Sequence, residues 1–236
     1  MTTSRAKKIV LSAAIVLAAL AGTVVVVPPL LWGDSVDYSG VASIKATREY
    51  QDPVLLAKAW ALPVAARYRS GIDFQNNGSF CGPTSVVNVM RSLGLRGDQG
   101  TVLAGTEVST VLGFLPGGIT LDRLAAVAQQ RLGKDVSVIR DLNLAAFREH
   151  LRLINDPSRR YVVNFTRGPL FGSGGGHHSP IAGYLSEEDL VLVLDVNEKY
   201  GPWLVKTDRL YDAMNTVDRS TGQKRGLLLV RREETR

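Results

Sequence analysis

The chain has 236 residues, 45% of them hydrophobic and 21% charged, with a formal net charge of +6. That balance excludes a disordered chain and is enough for one domain with a real core. The basic residues fall in small separated clusters without interleaved aromatics, which argues against a nucleic-acid surface and suits small anionic partners.

Residues 9–32 carry no charge and follow Arg5, Lys7 and Lys8. The run is long enough to span a bilayer, and its basic flank would stay in the cytoplasm. Ala19-Leu20-Ala21 offers a cleavage site. Residues 1–32 are therefore expected to be a membrane anchor, with a cleaved signal peptide as the alternative. Either way the domain is exported, to a periplasmic or other extracytoplasmic location. Residues 33–52 read as a polar linker, and 53–236 as the catalytic domain.

Residues 53–67 suggest helix broken at Pro63, and 71–80 form a loop rich in Asn and Gly. A helix is predicted over 83–93, with Pro83 in its first turn, Gly94 as its stop, and Val86, Val87, Met90 and Leu93 as its apolar stripe. Two amphipathic helices follow at 120–132 and 142–154, the second with Asp141 as N-cap. Strands are predicted at 161–165, 177–185, 190–196 and 226–231. Helices before an antiparallel sheet indicate an α+β fold.

Cys81 is the sole cysteine, so the chain has neither an intrachain disulfide nor a Cys-rich metal site. With only His150, His177 and His178, a structural zinc site is not expected either. Cys81 stands just before the predicted 83–93 helix, whose free N–H groups favour the nucleophilic thiolate. The bland alternative is a small buried Cys. Gln75 is placed to donate an amide N–H to an oxyanion, or simply to solvate its loop. His177 and His178 are neighbours in a strand, so their side chains should point to opposite faces and at most one should face Cys81. A turn near 186–188 brings position 177 roughly opposite Asp195. That carboxylate would then receive a histidine Nδ1–H and fix its tautomer. His178 is otherwise a partly exposed or satisfied histidine, and His150 a surface residue. Arg167, Asp218 and Arg225 read as surface charges from sequence alone.

At these residues the chain resembles the phytochelatin synthase family, glutathione γ-glutamylcysteinyltransferases with a papain-like fold. The resemblance rests on Phe80-Cys-Gly-Pro-Thr-Ser85, Gly176-His-His-Ser-Pro-Ile-Ala-Gly-Tyr184 and Leu194-Asp-Val196. Tyr200-Gly-Pro-Trp-Leu-Val205 and Asp218-Arg-Ser-Thr-Gly-Gln-Lys-Arg-Gly226 extend it, so that it covers roughly residues 50–232. It implies Cys81 as nucleophile, His177 rather than His178 as general base and acid, Asp195 as its orienting residue and Gln75 in the oxyanion hole. It implies an acyl pocket with Arg167, Gly176, Asp218 and Arg225. A γ-glutamyl group keeps a free ammonium and carboxylate, which such a pocket would match.

Glu198 departs from the pattern, because the plant enzymes have a basic residue there. The chain looks like the short bacterial members, which implies mainly hydrolysis of glutathione or its S-conjugates. The alternatives are true phytochelatin synthesis, an exported module that binds glutathione or soft metal without turnover, and an ordinary peptidase. No cofactor is expected. Cadmium, zinc or copper would enter as a glutathione thiolate complex, and the resemblance leaves room for a homodimer.

Overall fold

The computed structural model describes residues 36–231 apart from residue 134. The anchor or signal expected at 1–32 lies outside the described residues. Among the described residues no helix is long and apolar enough to cross a membrane.

Two short helices open the domain, α1 (Pro53–Trp60) and α2 (Pro63–Ala66), separated at Pro63 as the sequence suggests. Asp52 caps α1 by accepting from the N–H groups of Val54 and Leu55. The central helix α3 runs over Cys81–Ser92, so Cys81 is its first residue rather than lying ahead of it. Nearly every side chain of α3 is buried, including Thr84, Ser85 and Asn88. Each of those polar groups has a partner: Thr84 donates to Gln99, Ser85 to the Cys81 carbonyl, and Asn88 to the Asp73 carbonyl. Helix α4 (Leu121–Leu132) is capped by Thr120 and stopped by Gly133 in the left-handed region.

Strand β1 (Asp135–Ile139) follows, then α5 (Leu144–Arg152), β2 (Arg159–Thr166), α6 (Gly168–Phe171), β3 (Gly176–Leu185) and β4 (Leu190–Leu194). The chain continues through β5 (Pro202–Lys206), α7 (Thr207–Met214), the small pair β6 (Val217–Asp218) and β7 (Gln223–Lys224), and β8 (Leu227–Arg231). The six-stranded sheet has the order β1-β8-β2-β3-β4-β5, and every pairing in it is antiparallel.

Strand alternation divides the core. Val162, Leu228 and Val230 meet α3 and α4, while Ala182, Leu192, Leu194 and Leu204 meet α1 and α2. Tyr161, Val163, Phe165, Val193, Leu227 and Leu229 face the other way, against Phe147 and Leu151 of α5 and Leu210 of α7. The expected helical first half thus packs on one sheet face, and the later helices cover the opposite face.

Two readings of the sequence change. The N-cap of α5 is Asn143, which accepts from Ala146 N–H, whereas Asp141 sits in the left-handed region at φ 56. The segment read as a linker over 33–52 is partly core. Ile44 and Tyr50 are buried, and the Leu204 N–H donates to the Tyr50 carbonyl at 2.8 Å.

Candidate active site

Helix α3 begins without a side-chain cap. Its first-turn N–H groups therefore remain available, except at Pro83, which has none. Cys81 is buried there, against the start of β3. The Ser85 hydroxyl lies 2.7 Å from the Cys81 carbonyl and 3.1 Å from the His178 carbonyl, which ties the first turn of α3 to β3. Gly82 is required by close approach, since a Cβ there would lie 2.4 Å from Ile119 Cγ2.

His177 lies on the α5 side of the sheet. Its ring meets Phe165 edge-on with centroids 5.5 Å apart. Its Nε2 is 3.0 Å from Asp195 Oδ1, so the Nδ1–H contact expected from the sequence is made by the other ring nitrogen. Nδ1 is left for the sulfur. Asp195 follows the last residue of β4 and is fully buried. Trp203 Nε1 donates to its Oδ2 at 3.1 Å, and Arg167 Nη2 and the Asn197 N–H donate to its Oδ1 at 2.8 and 2.9 Å.

These contacts set the charges. Burial alone would raise the Asp195 carboxyl, but the charges and hydrogen bonds of His177 and Arg167 hold it well below the usual carboxylate range. Burial and Arg167 oppose the proton on His177, yet Asp195 and Cys81 overcome them and the imidazole is raised. Burial likewise opposes the Cys81 thiolate. The charge and hydrogen bond of His177, joined by those of His178, hold the thiol well below its ordinary value.

His178 therefore departs from the expectation of a satisfied bystander. Alternation does hold: His178 pairs with Asn164 in the register, and His177 with Phe165. But both rings act on the sulfur, lowering its thiol. His178 Nδ1 is 3.8 Å from Cys81 Sγ. Strand parity fixes the face from which each side chain leaves and not which of them a neighbouring helix start can reach. His150 is half-buried rather than a surface residue, with Nδ1 3.3 Å from the Tyr161 hydroxyl.

Gln75 is anchored beside the triad, since its backbone N–H donates to the Val196 carbonyl at 2.8 Å. Its side-chain amide donates to the Asn77 carbonyl, and its Oε1 is buried without a partner among the described residues. Arg167 makes its ion pair through one guanidinium nitrogen, and its Nη1 is buried without a partner among the described residues. Its guanidinium binds Asp195 and lies 3.8 Å from the centre of the Tyr200 ring, so it supports the triad from behind. Asp218 and Arg225 do come together, at 3.4 Å, and Arg225 also reaches Asn164 at 3.5 Å. A Cβ at Gly176 would lie 2.6 Å from Arg225 Nη1, so any larger residue there would have to displace that guanidinium. The Arg225 Nε is buried without a partner among the described residues.

A family model described as phytochelatin synthase matches residues 54–227. The chain belongs to the phytochelatin synthase family. Glutathione gamma-glutamylcysteinyltransferase 3 of Lotus japonicus is 38% identical over 117 residues, covering 48% of this chain and 24% of that protein. Glutathione gamma-glutamylcysteinyltransferase 2 of Arabidopsis thaliana is 32% identical over 181 residues, covering 67% of this chain and 37% of that protein. The chain therefore matches only a quarter to about two-fifths of the length of these phytochelatin synthase relatives. A C39-like peptidase of Bacillus anthracis superposes with a TM-score of 0.50 at 11% identity, over 71% of this chain and 97% of that one. That likeness shows the papain-like α+β fold.

Proposed function

We propose that this phytochelatin synthase family member is a thiol acyl-transfer enzyme acting on glutathione or its S-conjugates. The observation that carries the reading is a buried thiol at an uncapped helix start beside a histidine pair, one member of which a buried carboxylate orients. The Cys81 sulfur attacks the carbonyl of the Cys–Gly bond. The oxyanion receives the Cys81 N–H and the second N–H of the Gln75 amide. His177, protonated when Cys81 gave up its proton, passes that proton to the departing glycine nitrogen. A γ-glutamylcysteinyl thioester remains on Cys81. Water then gives a proton to His177 and its hydroxyl to the acyl carbon, and the thiolate leaves. Asp218 and Arg225 offer opposite charges to the ammonium and carboxylate of the γ-glutamyl group. The sequence of steps needs no resident cofactor, and a heavy metal enters with the substrate as its thiolate complex.

Hydrolysis is proposed to outrun transfer. Glu198 is exposed in the turn just after Asp195, and a carboxylate there disfavours an anionic glutathione as acceptor. The test is the intact mass of the full chain mixed with glutathione and quenched in acid, beside Cys81→Ser. A gain of one γ-glutamylcysteinyl group with glycine release, both absent in the variant, supports the mechanism. Folded protein with a reactive thiol that releases no glycine overturns it. The ratio of γ-glutamylcysteine to longer products decides between hydrolysis and transfer.

A further inference from the structure

His178 is buried at 3% exposure, and a ring kept for structure at that depth ordinarily has both nitrogens satisfied. Among the described residues this ring has one hydrogen-bond contact, and it is Cys81. Nδ1 lies 3.8 Å from Cys81 Sγ, and Nε2 is buried with no hydrogen-bond partner among the described residues. Its backbone is fixed too, because the His178 carbonyl accepts from Ser85 in the first turn of α3. The backbone that carries the ring is thereby tied to the helix start.

We propose that His178 is a second catalytic histidine, whose Nδ1–H hydrogen-bonds the Cys81 sulfur alongside His177 and holds it as thiolate. The proposal rests on the thiol acyl-transfer reading only in taking Cys81 as the nucleophile.

The two imidazoles divide the labour. His177 is bound to Asp195 and must give up and regain a proton in each cycle, so its hold on the sulfur varies. Among the described residues no carboxylate is hydrogen-bonded to His178, and its proton need not move. It offers a constant N–H to the thiolate, both before attack and when the thiolate leaves the thioester. The charged groups around it are His177 on its own strand, and Asp218 and Arg225 from the β6–β7 region. Asp218 is held below the usual carboxylate range in part through the charge of His178, and Arg225 reaches Asn164, the register partner of His178.

The sole cysteine makes the test direct, because Cys81 is the one thiol that iodoacetamide can alkylate. The rate of mass gain is followed against pH for the full chain, His178→Phe and His178→Asn. Phe fills the ring's place without a donor, whereas Asn puts an N–H where Nδ1 stood. The midpoint is expected to rise by about one pH unit in His178→Phe, a tenfold loss of thiolate below it, and to return most of the way in His178→Asn. An unchanged midpoint in His178→Phe overturns the proposal. A rise that Asn does not reverse also overturns it, since ring volume would then be the cause. Glycine release from glutathione is measured in the same preparations. If the unsubstituted chain releases none while the shift and its reversal stand, the glutathione reading falls and the role of His178 stands.

Discussion

Arg167 shows how one side chain holds the triad without touching the sulfur. One guanidinium nitrogen is 2.8 Å from Asp195, and the plane lies over Tyr200 and Phe171. Both partners of this ion pair are buried, so removing Arg167 takes from Asp195 one of its two cationic partners and leaves it to His177. Arg167→Met is expected to cost about 3 kcal/mol in urea denaturation. It should also change the pH profile with a definite sign. The Arg167 charge opposes the proton on His177, so without it the imidazolium persists to higher pH. The alkaline limb of the Cys81 alkylation profile should therefore move upward. A downward move, or a stability loss under 0.5 kcal/mol, would contradict the pairing. Cys81 and the histidine pair stand out in the sequence because cysteine and histidine are scarce, whereas Asp195 is one of many aspartates and is singled out by the strand end it follows. The partner of Arg167 was not legible there, because residue 195 is brought to it only by the stacking of β2, β3 and β4. His178 was misjudged for a similar reason: period-two alternation says which face a side chain leaves from, not what a neighbouring helix start can reach.

At the scale of elements, the meeting of α3 with α4 fixes where the sulfur stands. Gly82 follows the nucleophile and backs directly onto Ile119 and Leu124. Gly82→Ala would drive its methyl into Ile119, and overpacking of this kind costs about 1–3 kcal/mol. Ile119→Ala removes the obstructing atom but also buried apolar surface. The double variant should be more stable than the sum of the two losses by at least about 0.5 kcal/mol. Chemical denaturation of the four proteins measures that coupling, and strict additivity would show that the contact does not set the spacing. The helices at 53–66, 81–92 and 121–132 were readable because Pro, Thr and Gly mark their ends. Strands β1 and β5 and helix α7 were not. Strand β1 is an edge strand with Asp135 and Ser137 along it, so its pattern is weak, and its place is given by pairing with β8. The run 202–206 was visible only as part of a motif, and 207–214 carries no strong start signal, Lys206 making no side-chain cap.

For the molecule as a whole, the decisive difference from the sequence reading is that the segment before α1 belongs to the core. Tyr50 stacks on Trp203 with centroids 6.5 Å apart, and its carbonyl and the Gln51 side chain occupy the outer edge of β5. An edge strand left bare invites pairing with another chain, so this segment protects the sheet as well as enlarging its core. Trp203 in turn donates to Asp195, which links the segment to the triad through one ring. The Tyr50 phenol is pushed up to about 12, first by burial and then by the negative charge of Asp195, so it stays neutral at working pH. A linker would tolerate substitution within about 0.5 kcal/mol, whereas loss of a buried aromatic costs about 3–5 kcal/mol. Tyr50→Ala in the full chain is accordingly expected to lower Tm by roughly 10 °C. It should also slow Cys81 alkylation, because Trp203 loses the ring that backs it and Asp195 loses a fixed donor. Tyr50→Phe keeps the stack and should stay near the unsubstituted chain in both measurements. Tm and alkylation that are unmoved in Tyr50→Ala would return residues 38–52 to the status of a tether. A fall in Tm with unchanged alkylation would confine the segment to stability and break the proposed path from Tyr50 through Trp203 to Asp195.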